Sequence, residues 1–209
     1  GRGGDIHYMS VCDNDLITRI ALADVSGHGE SVTLISSWVY ASLRAQMNSL
    51  AGNDVLTELN ARICEYGFEA ITTATILTYD FGSHCLYFSS AGHPASLVWR
   101  SAGGWRRLEN LAVKRTSNMS MGIQRTAVYE QSELTLKPGD RFLMFTDGLL
   151  DAESPSAEPF GESRLLHLLT TLNETTISSH NREILKALSQ HTGGAPLDDD
   201  ITILAAEVR

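Results

Sequence analysis

Apolar positions along the chain change their spacing several times, and each change marks an element. Over residues 30–50 they recur at Val32, Ile35, Val39, Leu43 and Met47, with Leu34 and Trp38 widening the stripe. Three-to-four-residue spacing predicts a helix with one buried face, stopped by Gly52. A second helix is predicted from a cap at Asn53 or Asp54, through Val55, Leu56, Leu59 and Ile63, to Gly67. Both stripes read as core, with partner binding the lesser alternative. Ahead of them, 6–11 and 16–23 read as two strands of a hairpin turning at Asp13-Asn14-Asp15. That hairpin sets Asp5 and Asp24, at the outer ends of its strands, toward one sheet edge.

A β-rich middle follows. Residues 70–79 are dense in Thr, Ile and Leu, Asp80-Phe81-Gly82-Ser83 turns the chain, and 85–90 returns it. Ala91-Gly92-His93-Pro94 breaks that strand, 95–100 forms another, and Gly103-Gly104 turns into 105–108. Met119-Ser120-Met121-Gly122-Ile123 reads as a loop leading into a strand over 127–136. Lys137-Pro138-Gly139-Asp140 is a turn before the apolar run Arg141-Phe142-Leu143-Met144-Phe145-Thr146-Asp147-Gly148. Helices over 161–172 and 178–191 come next, and Asp198-Asp199-Asp200 opens a closing strand.

The chain has 209 residues, enough for one large domain without a forced split, and nothing between the motifs reads as a linker. A net charge of −9, with no basic cluster beyond Arg106-Arg107, excludes a nucleic-acid surface, which needs a basic stripe. Cys12, Cys64 and Cys85 are three widely spaced cysteines without a Cys-x-x-Cys pair, so they read as small buried hydrophobes in a reducing, cytoplasmic setting. No apolar run approaches the roughly 20 residues of a membrane span, and no membrane contact is expected of this domain. The opening Gly1-Arg2-Gly3-Gly4-Asp5, with neither Met nor a leading strand, suggests a domain excised from a longer protein and lacking its first strand.

The chemistry sits in carboxylates at strand ends. The run Ile20-Ala21-Leu22-Ala23-Asp24 looks like a buried strand delivering one carboxylate to its tip, with Val25-Ser26-Gly27-His28-Gly29 turning the backbone behind it. Asp147 repeats the arrangement, and Asp5 and the Asp198–Asp200 cluster add further acidic points. Read alone, Gly-Gly-Asp could be a capped turn and three Asp a solvated loop. Oxygen donors without a Cys or His cluster suit a hard cation such as Mg²⁺ or Mn²⁺ rather than zinc. Two such ions about 3.5–4 Å apart can activate water and clamp a phosphate ester. His93, between Gly and Pro, reads as a loop-bonding histidine, with metal ligation the competing reading. There is no phosphate-binding Gly-x-x-x-x-Gly-Lys loop, no Gly-x-Ser-x-Gly elbow and no kinase signature.

Six motifs occur in a telling order: Gly-Gly-Asp at 3–5, Asp-Val-Ser-Gly-His-Gly at 24–29, Ala-Gly-His-Pro at 91–94, Met-Gly-Ile at 121–123, Gly-Asp-Arg-Phe-Leu-Met-Phe-Thr-Asp-Gly at 139–148, and Asp-Asp-Asp-Ile-Thr at 198–202. Together they resemble the metal-dependent protein phosphatases, specifically the bacterial branch named after the stage II sporulation protein E and Rsb phosphatases. The resemblance implies an α+β, protein phosphatase 2C-like α-β-β-α sandwich of two antiparallel sheets flanked by helices. It implies two divalent cations, Mn²⁺ or Mg²⁺, with Asp24 bridging both, Asp5 and the Val25 carbonyl completing one, and Asp147 and Asp199 completing the other. Asp199 is taken from the closing Asp-Asp-x-Thr pattern, with Asp198 and Asp200 as alternatives. It also implies a phosphoserine or phosphothreonine substrate on a STAS-type anti-anti-sigma regulator, and switching of the first two helices by an upstream sensor or regulatory domain. The chain departs from the pattern where relatives carry a further Asp after Gly-Gly-Asp, since His7, Tyr8 and Met9 stand here. A catalytically silent binding module on the same fold, and a two-metal phosphodiesterase or nucleotide hydrolase, are the competing functions.

Overall fold

The computed structural model describes residues 4–12, 16–27, 30–47, 55–66, 71–108, 119–172 and 176–209. The expected turn at Asp13-Asn14-Asp15, Gly3, His28-Gly29, the helix stops at Gly52 and Gly67 and the cap at Asn53 or Asp54 lie outside the described residues. In chain order the elements are β1 (Ile6–Cys12), β2 (Ile17–Val25), α1 (Glu30–Met47), α2 (Val55–Tyr66), β3 (Thr72–Asp80), β4 (Cys85–Ala91), β5 (Leu97–Arg100), β6 (Gly104–Arg107), β7 (Ser132–Thr135), β8 (Arg141–Phe145), α3 (Gly148–Asp151), α4 (Glu162–Thr171), α5 (Ile177–His191) and β9 (Ile203–Glu207). They fall into two compact units, Gly1–His93 with Leu111–Leu136, and Pro94–Asn110 with Lys137–Arg209. No described helix is long and apolar enough to cross a membrane.

The first unit is a five-stranded antiparallel sheet in the order β1-β2-β3-β4-β7, with α1 and α2 on one face. Alternation along β2 turns Ala21, Ala23 and Val25 toward the helices. All three are fully or almost fully buried, and such small side chains leave room for Val32, Ile35, Val39 and Leu43 of α1. Those four interlock with Val55, Leu56, Leu59 and Ile63 of α2. Each aliphatic side chain so buried contributes about 1.5–3 kcal/mol. The stripe is narrower than expected, because Leu34 is 69% exposed and Trp38 only partly covered.

Strands β7 and β2 of this unit differ in length from expectation. The run 127–136 is a strand only at Ser132–Thr135, because the backbone before it is claimed by side chains. Tyr129 N donates to Thr57 Oγ1 of α2 (3.1 Å), and Glu130 O accepts from Ser89 Oγ (2.6 Å). Strand β2 runs two residues past Ala23, so Asp24 is its penultimate residue rather than its tip.

The second unit is a four-stranded antiparallel sheet in the order β6-β5-β8-β9, with α4 and α5 packed on it. Leu165 and Leu169 of α4 and Ile184 and Leu188 of α5, each pair four apart, meet Leu97, Leu143 and Phe145 of the sheet. The turn at Lys137–Asp140 forms as expected: Asp140 N donates to Lys137 O (2.9 Å), and Asp140 Oδ2 accepts from Lys137 N (2.9 Å). Gly139 sits there at φ +90°, a conformation that glycine alone adopts without strain.

Candidate functional site

In the first unit the β1–β2 register sets Asp5 opposite Asp24. Ile6 pairs with Ala23, and Val25 N donates to Gly4 O at 3.2 Å. Gly4 and Val25 are therefore a hydrogen-bonded pair, and Asp5 and Asp24 the closer, non-hydrogen-bonded pair beside it, with side chains on one face. Both carboxylates are half-buried. Gly4 is indispensable to this arrangement. A Cβ on Gly4 would lie 2.2 Å from Val25 O and 2.5 Å from Asp24 Oδ1, so these two oxygens converge on space that only glycine leaves open. Across the other edge of β2, Asp24 pairs with Thr73, whose Oγ1 shares a hydrogen bond with His93 Nδ1 (2.9 Å). His93 is buried, and this bond reaches a side chain of strand β3 rather than the loop expected of it.

In the second unit Asp147 and Asp199 come together. Strand β8 stops at Phe145, earlier than expected, because the chain turns at Asp147 into the unforeseen short helix α3. Asp147 caps that turn, its Oδ1 accepting from Gly148 N at 3.1 Å. Thr146 ties the turn to the acidic loop: its N donates to Thr202 O (3.1 Å), and its Oγ1 accepts from Thr202 N (3.0 Å). Using Thr202 N in this way delays β9 until Ile203. Gly148 presses on the same loop, since a Cβ there would stand 2.2 Å from Asp200 O and 3.4 Å from Asp199 Cβ. Asp199 Oδ1 accepts from Asp200 N at 2.8 Å, and Asp198, Asp199 and Asp200 are exposed.

Electrostatics single out Asp147. Burial, and then the charge of Asp199 beside it, push its carboxyl above the ordinary Asp range. A carboxylate held next to another gains from a cation between them. Each unit thus offers a pair of carboxylates, and among the described residues no group of three or more His, Cys, Asp or Glu gathers as a metal site. The donors fit a hard divalent ion: carboxylate and carbonyl oxygens, a glycine cradle at Gly4, and no thiolate. Sequence reading missed the packing roles of Gly4 and Gly148, and Thr73 altogether. Glycine next to a candidate ligand was a signal for the first two, whereas a Thr in a Thr-rich strand carries none.

With this geometry in view, the chain belongs to the Stage II sporulation protein E (SpoIIE) family, which matches residues 15–209. Its fold is the protein phosphatase 2C-like α+β fold, as the SiaA-PP2C domain of Pseudomonas aeruginosa shows: TM-score 0.83 over 99% of this chain and 81% of that one, at 21% identity. RsbX, solved in complex with magnesium, has the same fold, with a TM-score of 0.68 over all of this chain and 89% of that one, at 18% identity. Among curated relatives, Protein IcfG of Synechocystis is 30% identical over 60% of this chain, and phosphoserine phosphatase RsbU of Bacillus subtilis is 27% identical over 71% of it. The matched stretches span 19% and 43% of those two proteins.

Proposed function

We propose that this chain is a metal-dependent protein serine/threonine phosphatase that hydrolyses a phosphoserine or phosphothreonine monoester. The observation that carries this reading is the pairing of carboxylates at the motif positions: Asp5 with Asp24, beside the Val25 carbonyl, and Asp147 with Asp199. These residues are the proposed ligands of two divalent ions, Mn²⁺ or Mg²⁺, within one phosphatase domain spanning 1–209. Bound ions would supply an activated water and charge neutralisation at the phosphate. The chain's own part is to hold its oxygens in place: Gly4 keeps Asp24 Oδ1 and Val25 O converging, and Thr146 and Gly148 fix Asp147 against the acidic loop. The proposed substrate is a phosphorylated STAS-type regulator in the cytoplasm, acting in sigma-factor control, with an upstream sensor or regulatory domain as the proposed switch. The phosphoserine phosphatase RsbU among the relatives supports the reaction, and magnesium in RsbX supports the ion class.

Hydrolysis of p-nitrophenyl phosphate and of a phosphoserine peptide, with Mn²⁺, with Mg²⁺ and with chelator, tests this. Phosphate release that needs the ion, and that Asp147→Ala abolishes while the protein stays folded, is the expected result. Release that persists in chelator or in Asp147→Ala would overturn it. A protein that binds no Mn²⁺ and releases no phosphate would be the silent binding module instead.

A further inference from the structure

We infer that Thr73 and His93 are positioning residues for Asp24, an inference that rests on Asp24 holding a divalent ion. Ser26 N donates to Ile71 O at 2.9 Å, so two residues further along the ladder Asp24 and Thr73 form another hydrogen-bonded pair. Their side chains leave the same face, with Cα atoms about 5.5 Å apart. Thr73 Oγ1 lies 2.9 Å from His93 Nδ1. A hydroxyl has one proton to give. When His93 Nδ1–H donates to Thr73, the Thr73 proton is left to be directed at the neighbouring Asp24 carboxylate, which can only accept. The reverse polarity would spend that proton on His93 and present lone pairs to a carboxylate.

The remainder of the first unit fixes His93 for this task. Gly92 stands at φ +65°, and a Cβ on it would lie 2.2 Å from Ser120 Oγ and 2.9 Å from Ser120 N and Cα. Met121 and Thr72 exchange both backbone bonds (2.8 and 3.1 Å), and Ala74 bridges to Gly92. Segments 91–93 and 120–122, along the edge of β3 opposite β2, therefore hold Thr73 through its chain neighbours Ala74 and Thr72. The fully buried Asn60 of α2 pins that second segment: its Oδ1 accepts from Gly122 N (3.0 Å), and its Nδ2 donates to Gln124 O (2.9 Å). These contacts give the Ala-Gly-His and Met-Gly motifs a common purpose: they hold one imidazole against the hydroxyl beside Asp24.

Calorimetric titration of Mn²⁺ into the wild-type chain, Thr73→Val, Thr73→Ser and His93→Leu, with thermal unfolding of each, is the test. Groups that orient a metal ligand are worth about 10–100-fold in affinity. Thr73→Val and His93→Leu should therefore bind Mn²⁺ at least tenfold more weakly, while Thr73→Ser, which keeps the hydroxyl, stays within twofold of wild type. Thr73→Val is nearly isosteric and keeps its strand, so it reads positioning even if His93→Leu folds poorly. Wild-type Mn²⁺ affinity in Thr73→Val, or equal weakening in Thr73→Ser, overturns the inference, as does a lowered melting temperature with affinity unchanged. A wild-type chain that binds no Mn²⁺ overturns the metal reading itself, and the inference with it.

Discussion

Alanine at position 4 adds one methyl group where two proposed ligand oxygens meet. The new Cβ would stand 2.2 Å from Val25 O and 2.5 Å from Asp24 Oδ1. A comfortable carbon–oxygen approach is about 3.3 Å, so the overlap with Val25 is about 1 Å. The Asp24 carboxylate can rotate away, but the Val25 carbonyl is backbone, and Val25 N is bonded to Gly4 O at 3.2 Å. The β1–β2 ladder must therefore spread at its end, at the usual overpacking cost of about 1–3 kcal/mol. For a chain of this size that lowers the melting temperature by about 2–4 °C per kcal/mol. Moving a catalytic group by about 1 Å costs about 100-fold in rate. Gly4→Ala should accordingly lose about 100-fold in Mn²⁺-dependent hydrolysis of p-nitrophenyl phosphate while unfolding cooperatively a few degrees lower. Gly104→Ala is the control: Gly104 has φ +67° and a Cβ there meets nothing within 4 Å. It should carry only the left-handed backbone cost of about 1–2 kcal/mol, with turnover unchanged. Gly4→Ala hydrolysing within twofold of wild type would refute the reasoning.

Three further outcomes follow from buried polar groups. Asn60→Ala leaves the half-buried Gly122 N without its acceptor, at about 1–3 kcal/mol, while the exposed Gln124 can turn its carbonyl to water, so the urea midpoint should fall with the slope unchanged. The Tyr129 hydroxyl is buried without a hydrogen-bond partner among the described residues, and burial pushes its pKa up to about 12. Tyr129→Phe should therefore be neutral or stabilising by about 1 kcal/mol in thermal unfolding, and a marked loss would refute the burial of an unpaired hydroxyl. His180 is fully buried against Trp105, with Nδ1 3.1 Å from Thr176 O, and burial lowers its pKa below 6.5. A depressed histidine favours the neutral folded state, so its stability is present above about pH 6.5 and lost as pH falls below it. Unfolding across pH 7.5 to 5.5 should show a shallower acid loss in His180→Phe than in wild type; parallel curves would refute it.

Much of the fold was legible because local pattern and burial agreed. The i, i+3, i+4 stripe at Val32, Ile35, Val39 and Leu43 placed α1, and the turn residues at Asp80–Ser83 and Lys137–Asp140 placed strand ends. Failures arose where side chains from distant sequence took over backbone groups. Thr57 and Ser89 hold 129–130 out of the β7 ladder, and Thr146 captures the amide of Thr202. No periodicity records such bonds.

The sequence by itself determined which acidic residues are candidates and their order, because carboxylates beside apolar runs keep that signature wherever the chain folds. It also carried the family: five of the six short motifs fall within the matched residues 15–209. Only tertiary structure decided what lies next to each carboxylate. The strand registers set Asp5 and Thr73 on either side of Asp24, and the folded turn at Gly148 brings Asp199 against Asp147. The reason is physical: a side chain's chemistry belongs to its residue, but its neighbours are set by pairings between segments tens of residues apart.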